Sequence, residues 1–178
     1  MSFFSLALFL ALGVTAFGYT SSPTLEDLRE AISTNQNIWV TQRTYERKTG
    51  GQNHRCVYVR KTSAPDQPYE FDQYFRHGET WDNIHLYADI SQEPSKDPVL
   101  TVRNGKGSRG IPYSFLFWNR DSHCAILSFR NEKGQNEFEL HVWNDDLRHP
   151  GVVQCQQELH RISEGRELSI YENDCKPN

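Results

Sequence analysis

Three stretches of the chain set polar and aromatic side chains at every second position, the spacing that collects them on one face of a strand. In Phe138-Glu-Leu-His-Val-Trp the carboxylate of Glu139, the imidazole of His141 and the indole of Trp143 share one face, with Phe138, Leu140 and Val142 on the other. In the run from Ile38, the residues Trp39, Thr41, Arg43 and Tyr45 fall together, opposite Ile38, Val40, Gln42 and Thr44. Tyr113, Phe115 and Phe117 repeat the pattern further along. A carboxylate among rings is the chemistry that holds a small cationic amine away from water, because the charge replaces hydration and the ring faces add cation–π attraction. A buried arginine instead requires a partner or an anion. Alternation alone does not say which face is wet, so two placements stay open for Glu139 and His141: inside a lumen, or on a solvated outer face. The same two placements are open for Arg43 and Tyr45.

Catalytic patterns are missing from the sequence: it has no Gly-x-Ser-x-Gly elbow, no His-Glu-x-x-His and no phosphate loop, so the chain reads as a binder and not an enzyme. His54, His77, His85, His123, His149 and His160 lack metal-ligand spacing and read as surface or locally hydrogen-bonded groups; neither metal nor cofactor is expected. Cys56, Cys124, Cys155 and Cys175 fit no Cys-x-x-Cys pattern and read as a disulfide framework, for which composition permits three pairings. Residues 3 to 17 carry no charge, and Ala16 and Gly18 are small, which predicts a secretory leader over 1–18 cleaved after Gly18 and one domain over 19–178. The run is too short for a membrane anchor. Together the leader and the cysteines place the protein outside the cell. The 23 acidic and 19 basic residues leave a net charge of −4 with Lys and Arg dispersed, which argues against nucleic acid and anionic membranes as partners.

Thr24, with Asp27 at the capping-box position and Leu25, Leu28 and Ile32 on one face, predicts a short N-terminal helix. The period then changes to two, predicting strands over 38–47, 54–62, 69–76, 80–90, 98–103, 111–119, 123–130 and 136–143, separated by turn residues. Pro150 followed by Val152, Cys155, Leu159 and Ile162 predicts a second helix ending at Gly165, and Glu-Leu-Ser-Ile-Tyr-Glu a short closing strand. Eight antiparallel strands can close into an all-β barrel, which removes the sheet's edges and leaves space for one small ligand.

The segments Ser122-His-Cys-Ala-Ile-Leu, Phe138-Glu-Leu-His-Val-Trp, Cys155, Gly165-Arg-Glu-Leu and Ile170-Tyr-Glu-Asn-Asp-Cys resemble the tick salivary lipocalins, whose founding members bind histamine. Thr44-Tyr45 and Cys56 extend the likeness upstream. The resemblance implies a lipocalin-type barrel with a flanking C-terminal helix, bridged Cys56 to Cys175 and Cys124 to Cys155. It also implies a function: sequestering a small host mediator in saliva, a biogenic amine such as histamine or serotonin, to evade inflammatory defence. If Cys124 reaches a helix outside the barrel, Ala125, Leu127 and Phe129 point inward. Phe138, Leu140 and Val142 then lie under the helix, and Glu139, His141 and Trp143 face the lumen. On this reading Glu139 anchors the ammonium, with Trp143, Tyr45 and Tyr113 as aromatic walls and His141, Arg43 and Trp39 beside them. Two positions depart from the family pattern: Ala125 stands where the histamine binders have Asp, and His141 where they have Trp or Tyr. A leukotriene or fatty acid is the alternative ligand, its tail along Ala125, Leu127 and Phe129 and its head at Arg43 or His141. A third reading has the loops at Pro65 to Pro68 or Asn104 to Gly110 capture a host complement or signalling protein on a barrel that is only scaffold.

Overall fold

The computed structural model describes residues 22–64 and 67–175, so the expected leader and its cleavage site lie outside the described residues. Helix α1, Leu25–Ile32, begins at a capping box: the Asp27 amide donates to Thr24 Oγ1 at 3.2 Å and the Thr24 amide to the Asp27 carboxylate at 2.8 Å. These bonds satisfy amides that the first helical turn leaves without partners. The strands follow as β1 Ile38–Arg43, β2 Lys48–Thr49, β3 Gln52–Lys61, β4 Tyr69–His77 and β5 Thr80–Ser91, then β6 Val99–Arg103, β7 Ile111–Asn119, β8 Cys124–Arg130 and β9 Asn136–Trp143. Helix α2, Val152–Ser163, and the two-residue β10, Leu168–Ser169, follow, and a single 3-10 turn at Asn173–Cys175 comes after them.

Neighbouring strands from β3 to β9 pair antiparallel in sequence order. Strand β1 closes the ring by pairing with β9 on one side and, through Ile38 to Val59 and Trp39 to Tyr58, with β3 on the other. The result is the expected barrel of eight strands, with β2 a hairpin extension at its rim and β10 an addition beside β1. The first strand stops at Arg43 rather than running to residue 47. Thr44 interrupts the ladder, because its hydroxyl accepts the Phe138 amide at 2.9 Å and is itself bonded to the Glu137 carboxylate at 2.5 Å.

Two apolar layers sandwich the wall formed by β8 and β9. On the inside, Ala125 and Leu127 join Phe71, Ala88, Leu100 and Phe115, and α1 closes this end of the barrel with Leu28 and Ala31. Arg120, in the β7–β8 turn, fixes that plug by ion pairs to Glu30 at 2.7 Å and Asp27 at 3.0 Å. On the outside, Ile126, Phe138, Leu140 and Val142 are covered by Val152, Cys155 and Leu159 of α2. The helix stops where Glu164 and Gly165 take positive φ (55° and 74°), and the Gly165 amide donates to the His160 carbonyl at 3.1 Å. A left-handed C-cap of this kind ends a helix at low cost when glycine supplies it. Disulfides join Cys56 to Cys175 and Cys124 to Cys155, the pairing that the resemblance implied.

Candidate functional site

The barrel encloses a cavity of about 380 Å³. Its closed end is built from α1 and from Ile38, Trp118, His123 and Trp143; its flank is apolar, with Phe71, Leu86, Leu100, Val102, Phe115, Ala125 and Leu127. The polar groups concentrate on one wall. Strand β9 turns Glu139, His141 and Trp143 inward because α2 covers the alternate residues, so the inward placement of this trio is what the bridge-and-helix argument required.

Glu139 is 7% exposed, and both its oxygens are occupied. Oε1 accepts the hydroxyl of Tyr45, and Oε2 lies 2.8 Å from Nε2 of His141, which donates to it. Burial pushes the Glu139 carboxyl up, but the His141 hydrogen bond and charge, the Tyr45 hydroxyl and the Arg43 charge outweigh it and hold the group below the ordinary carboxylate value. The site therefore keeps a buried negative charge at neutral pH. Tyr45 and Tyr113 are both pushed up, first by burial and then by the nearby Glu139 charge, so both hydroxyls remain protonated. The Phe129 ring, 5.2 Å from Tyr45 and 5.0 Å from Tyr113, fixes these two rings side by side. At the closed end Trp143 stacks on His123 at 4.0 Å and donates from Nε1 to the Ala31 carbonyl at 3.0 Å, which ties α1 to the lumen wall.

Arg43 does face inward, and it is 3% exposed, but it does not reach the main cavity. It lines an adjoining space of about 10 Å³ together with Tyr45, Arg47, His54, Gln73 and Glu139. There its Nη2 donates to the His54 carbonyl at 2.8 Å and its guanidinium lies 4.8 Å over the Tyr45 ring. Among the described residues it forms no ion pair with Glu139, and its Nε has no partner. Its charge acts on Glu139 through space.

Trp39 corrects the expectation for β1. It is 1% exposed and lies outside the lumen, packed on the Cys56–Cys175 bridge between Tyr58 at 4.7 Å and Tyr171 at 5.0 Å, with Nε1 bonded to Asn144. A register shift in the β1–β9 ladder between Val40 and Gln42 inserts one residue, so Trp39 and Arg43, which share parity in the sequence, face opposite sides. A second shift, between Phe115 and Phe117 on β7, sends Phe117 out against the α2 layer and brings Trp118 into the lumen instead. His54 is of the locally hydrogen-bonded kind, bonded to Thr49 at 2.7 Å, and it is buried, stacked on Phe75 at 4.0 Å. His123, half-buried against Trp143, lines the cavity.

The sequence reading also missed the mouth. Arg47, Arg103, Asn104, Arg109 and Ile111 border the cavity, brought there by the β1–β3 and β6–β7 connections. No periodicity marks them, because they lie in or beside loops; the spaced basic residues Arg103, Lys106 and Arg109 were the available signal.

A closed antiparallel barrel with a plugged end, an outer C-terminal helix and one amphipathic cavity defines a lipocalin-type binding protein. Residues 20–177 match the sequence pattern of the family described as tick histamine binding protein, and the chain belongs to that family. No curated protein sequence matches it. Among solved structures, the chain is similar to AM182 in its serotonin complex, with 16% identity, 84% of this chain and 92% of that one covered, and a TM-score of 0.59. It is also similar to japanin from Rhipicephalus appendiculatus bound to cholesterol (16% identity, 80% and 96% covered, TM-score 0.55). Insecticyanin from the tobacco hornworm Manduca sexta gives 10% identity, 82% of both chains and a TM-score of 0.51. At these identities the structural likeness carries the fold alone.

Proposed function

We propose that this protein is secreted and sequesters a small amphipathic host mediator in its barrel without chemical change, and that the mediator carries an ammonium group held at Glu139. The observation that carries the reading is the placement of that residue: it is the one carboxylate among the described residues lining the cavity, it is buried, and Tyr45 and His141 both hydrogen-bond to it. A buried anion beside the rings of Tyr45 and Tyr113, in a cavity also lined by Trp143, is a receptor for an aromatic or imidazole amine. The family match and the serotonin complex of a structural relative support the same ligand class, and the uncharged leader with two disulfides supports secretion. His141 contributes a constraint that the histamine binders' aromatic residue would not: it occupies one oxygen of Glu139, so an ammonium must share that oxygen or displace the imidazole.

Glu139→Gln keeps the side chain's shape and removes its charge. Under this reading calorimetric titration of serotonin or histamine should show affinity reduced by about tenfold to a thousandfold, the range for losing one buried charge partner. Unchanged affinity for both amines would refute it. The arginine-bordered mouth favours a second reading, an amphipathic anion such as a fatty acid or leukotriene with its tail along Leu86, Leu100 and Val102; binding of that kind would survive Glu139→Gln intact.

A further inference from the structure

We infer that the ligand this cavity fits is an aromatic amine that also bears an anionic group at the end opposite the ammonium, in the manner of an aryl sulfate or phosphate. This rests on the amine reading of Glu139. Charge along the lumen is divided: one carboxylate is buried on the β9 wall, and Arg47, Arg103 and Arg109 border the mouth. Arg103 is neutralised by Asp89. Arg47 and Arg109 form no ion pair with a carboxylate among the described residues, and both are exposed enough to reach a bound group. Arg47 also has a defined relation to the anchor. Its guanidinium lies 5.9 Å over the face of Tyr45, while the hydroxyl of that same ring donates to Glu139. A receptor for an anion and a receptor for a cation are therefore set along one tyrosine, with Tyr113 beside it as a second ring.

A simple monocation entering this barrel meets a positive rim before it reaches Glu139, which lowers its encounter rate and leaves the arginines solvated and unused. A simple fatty anion uses the arginines but lays its tail beside Glu139, whose charge is held by Tyr45, His141 and the nearby Arg43 and gains no partner from the ligand. A ligand carrying both charges satisfies both ends. Its sulfate or phosphate takes the forked guanidinium hydrogen bonds, its ring lies along Tyr45 and Tyr113, and its ammonium meets Glu139. The cavity of about 380 Å³ has room for one such molecule.

Isothermal titration calorimetry on the full disulfide-bonded protein, with tyramine and tyramine O-sulfate as the paired probes, tests this. The sulfate ester should bind at least about tenfold more tightly than the parent amine at low ionic strength, the increment of one added charge-assisted contact. The Arg47→Gln, Arg109→Gln double variant should erase that difference, and Glu139→Gln should weaken the ester as well as the amine. Equal wild-type affinities for the two probes would overturn the inference while leaving the amine reading intact. An ester that binds tightly and is indifferent to Glu139→Gln would overturn it in favour of a purely anionic ligand. Binding of neither probe, nor of serotonin or histamine, would remove the amine reading and this inference with it.

Discussion

At the scale of single residues, the proposed function turns on how one carboxylate stays ionised where burial alone would protonate it. Glu139 keeps its charge because His141, Tyr45 and Arg43 act on it together, and the sign of that shift makes a prediction. A carboxyl held below its ordinary value stays deprotonated until the pH falls through the lowered value, so amine affinity should be flat from about pH 7 to about pH 5 and decline only below the ordinary carboxylate range. A decline centred near pH 6 would mean that the anchor is not Glu139. His54 carries the opposite kind of dependence, on stability. Burial, with the charges of Arg43 and Arg47, lowers its pKa from 6.5 to about 4. The unfolded chain takes up a proton at this residue below its ordinary value while the folded protein resists, so stability is fully present above about pH 6.5 and is lost progressively as pH falls towards 4. His54→Phe retains the stack on Phe75 and cannot be protonated. Thermal unfolding midpoints of this variant should differ less between pH 7 and pH 5 than those of the wild type; an unchanged difference would assign the acid sensitivity elsewhere.

At the scale of elements, the barrel is fastened by bridges at two distinct places. Cys56–Cys175 spans 119 residues and pins the C-terminal segment over Trp39, and Cys124–Cys155 spans 31 and pins α2 over β8. In the chain-entropy account their removal by paired Cys→Ser substitution costs about 5 and about 4 kcal/mol respectively, measurable by denaturant unfolding. The two losses should differ in kind. Loss of the second bridge frees the helix that holds Phe138, Leu140 and Val142 outward, so it should weaken amine binding; loss of the first should lower stability with a smaller effect on the ligand. Equal effects on binding would contradict the assignment of α2 as the element that orients β9. These elements were largely legible in the sequence, since the capping box at Thr24 and Asp27, the period of two from Ile38 and the change to helical spacing after Pro150 each reflect local chemistry. The two bulges were not. The stretches around Val40 and Phe115 contain no glycine and no break in their apolar pattern, so parity ran through them undisturbed, which put Trp39 on the wrong side and gave Phe117 the face of Tyr113 and Phe115. The inward face of Glu139 was legible only through the resemblance, whose Cys124–Cys155 pairing puts a helix over the alternate residues of an unbulged strand.

At the scale of the whole molecule, the fold and the family define a container, while the polarity of its contents selects what it holds. The chain closes one end of the barrel with α1 and leaves the other bordered by arginines, and it places its buried negative charge between the two. The mouth was the part that sequence reasoning could not assemble, because Arg47, Arg103 and Arg109 come from connections whose meeting depends on barrel closure. The most direct test of the account is a crystal structure of the protein grown with serotonin. We predict electron density for one molecule in the lumen, its ammonium within hydrogen-bond distance of Glu139 and its ring against Tyr45, Tyr113 or Trp143. Serotonin seated on the barrel's exterior, or in the lumen with its ammonium directed away from Glu139, would contradict the account.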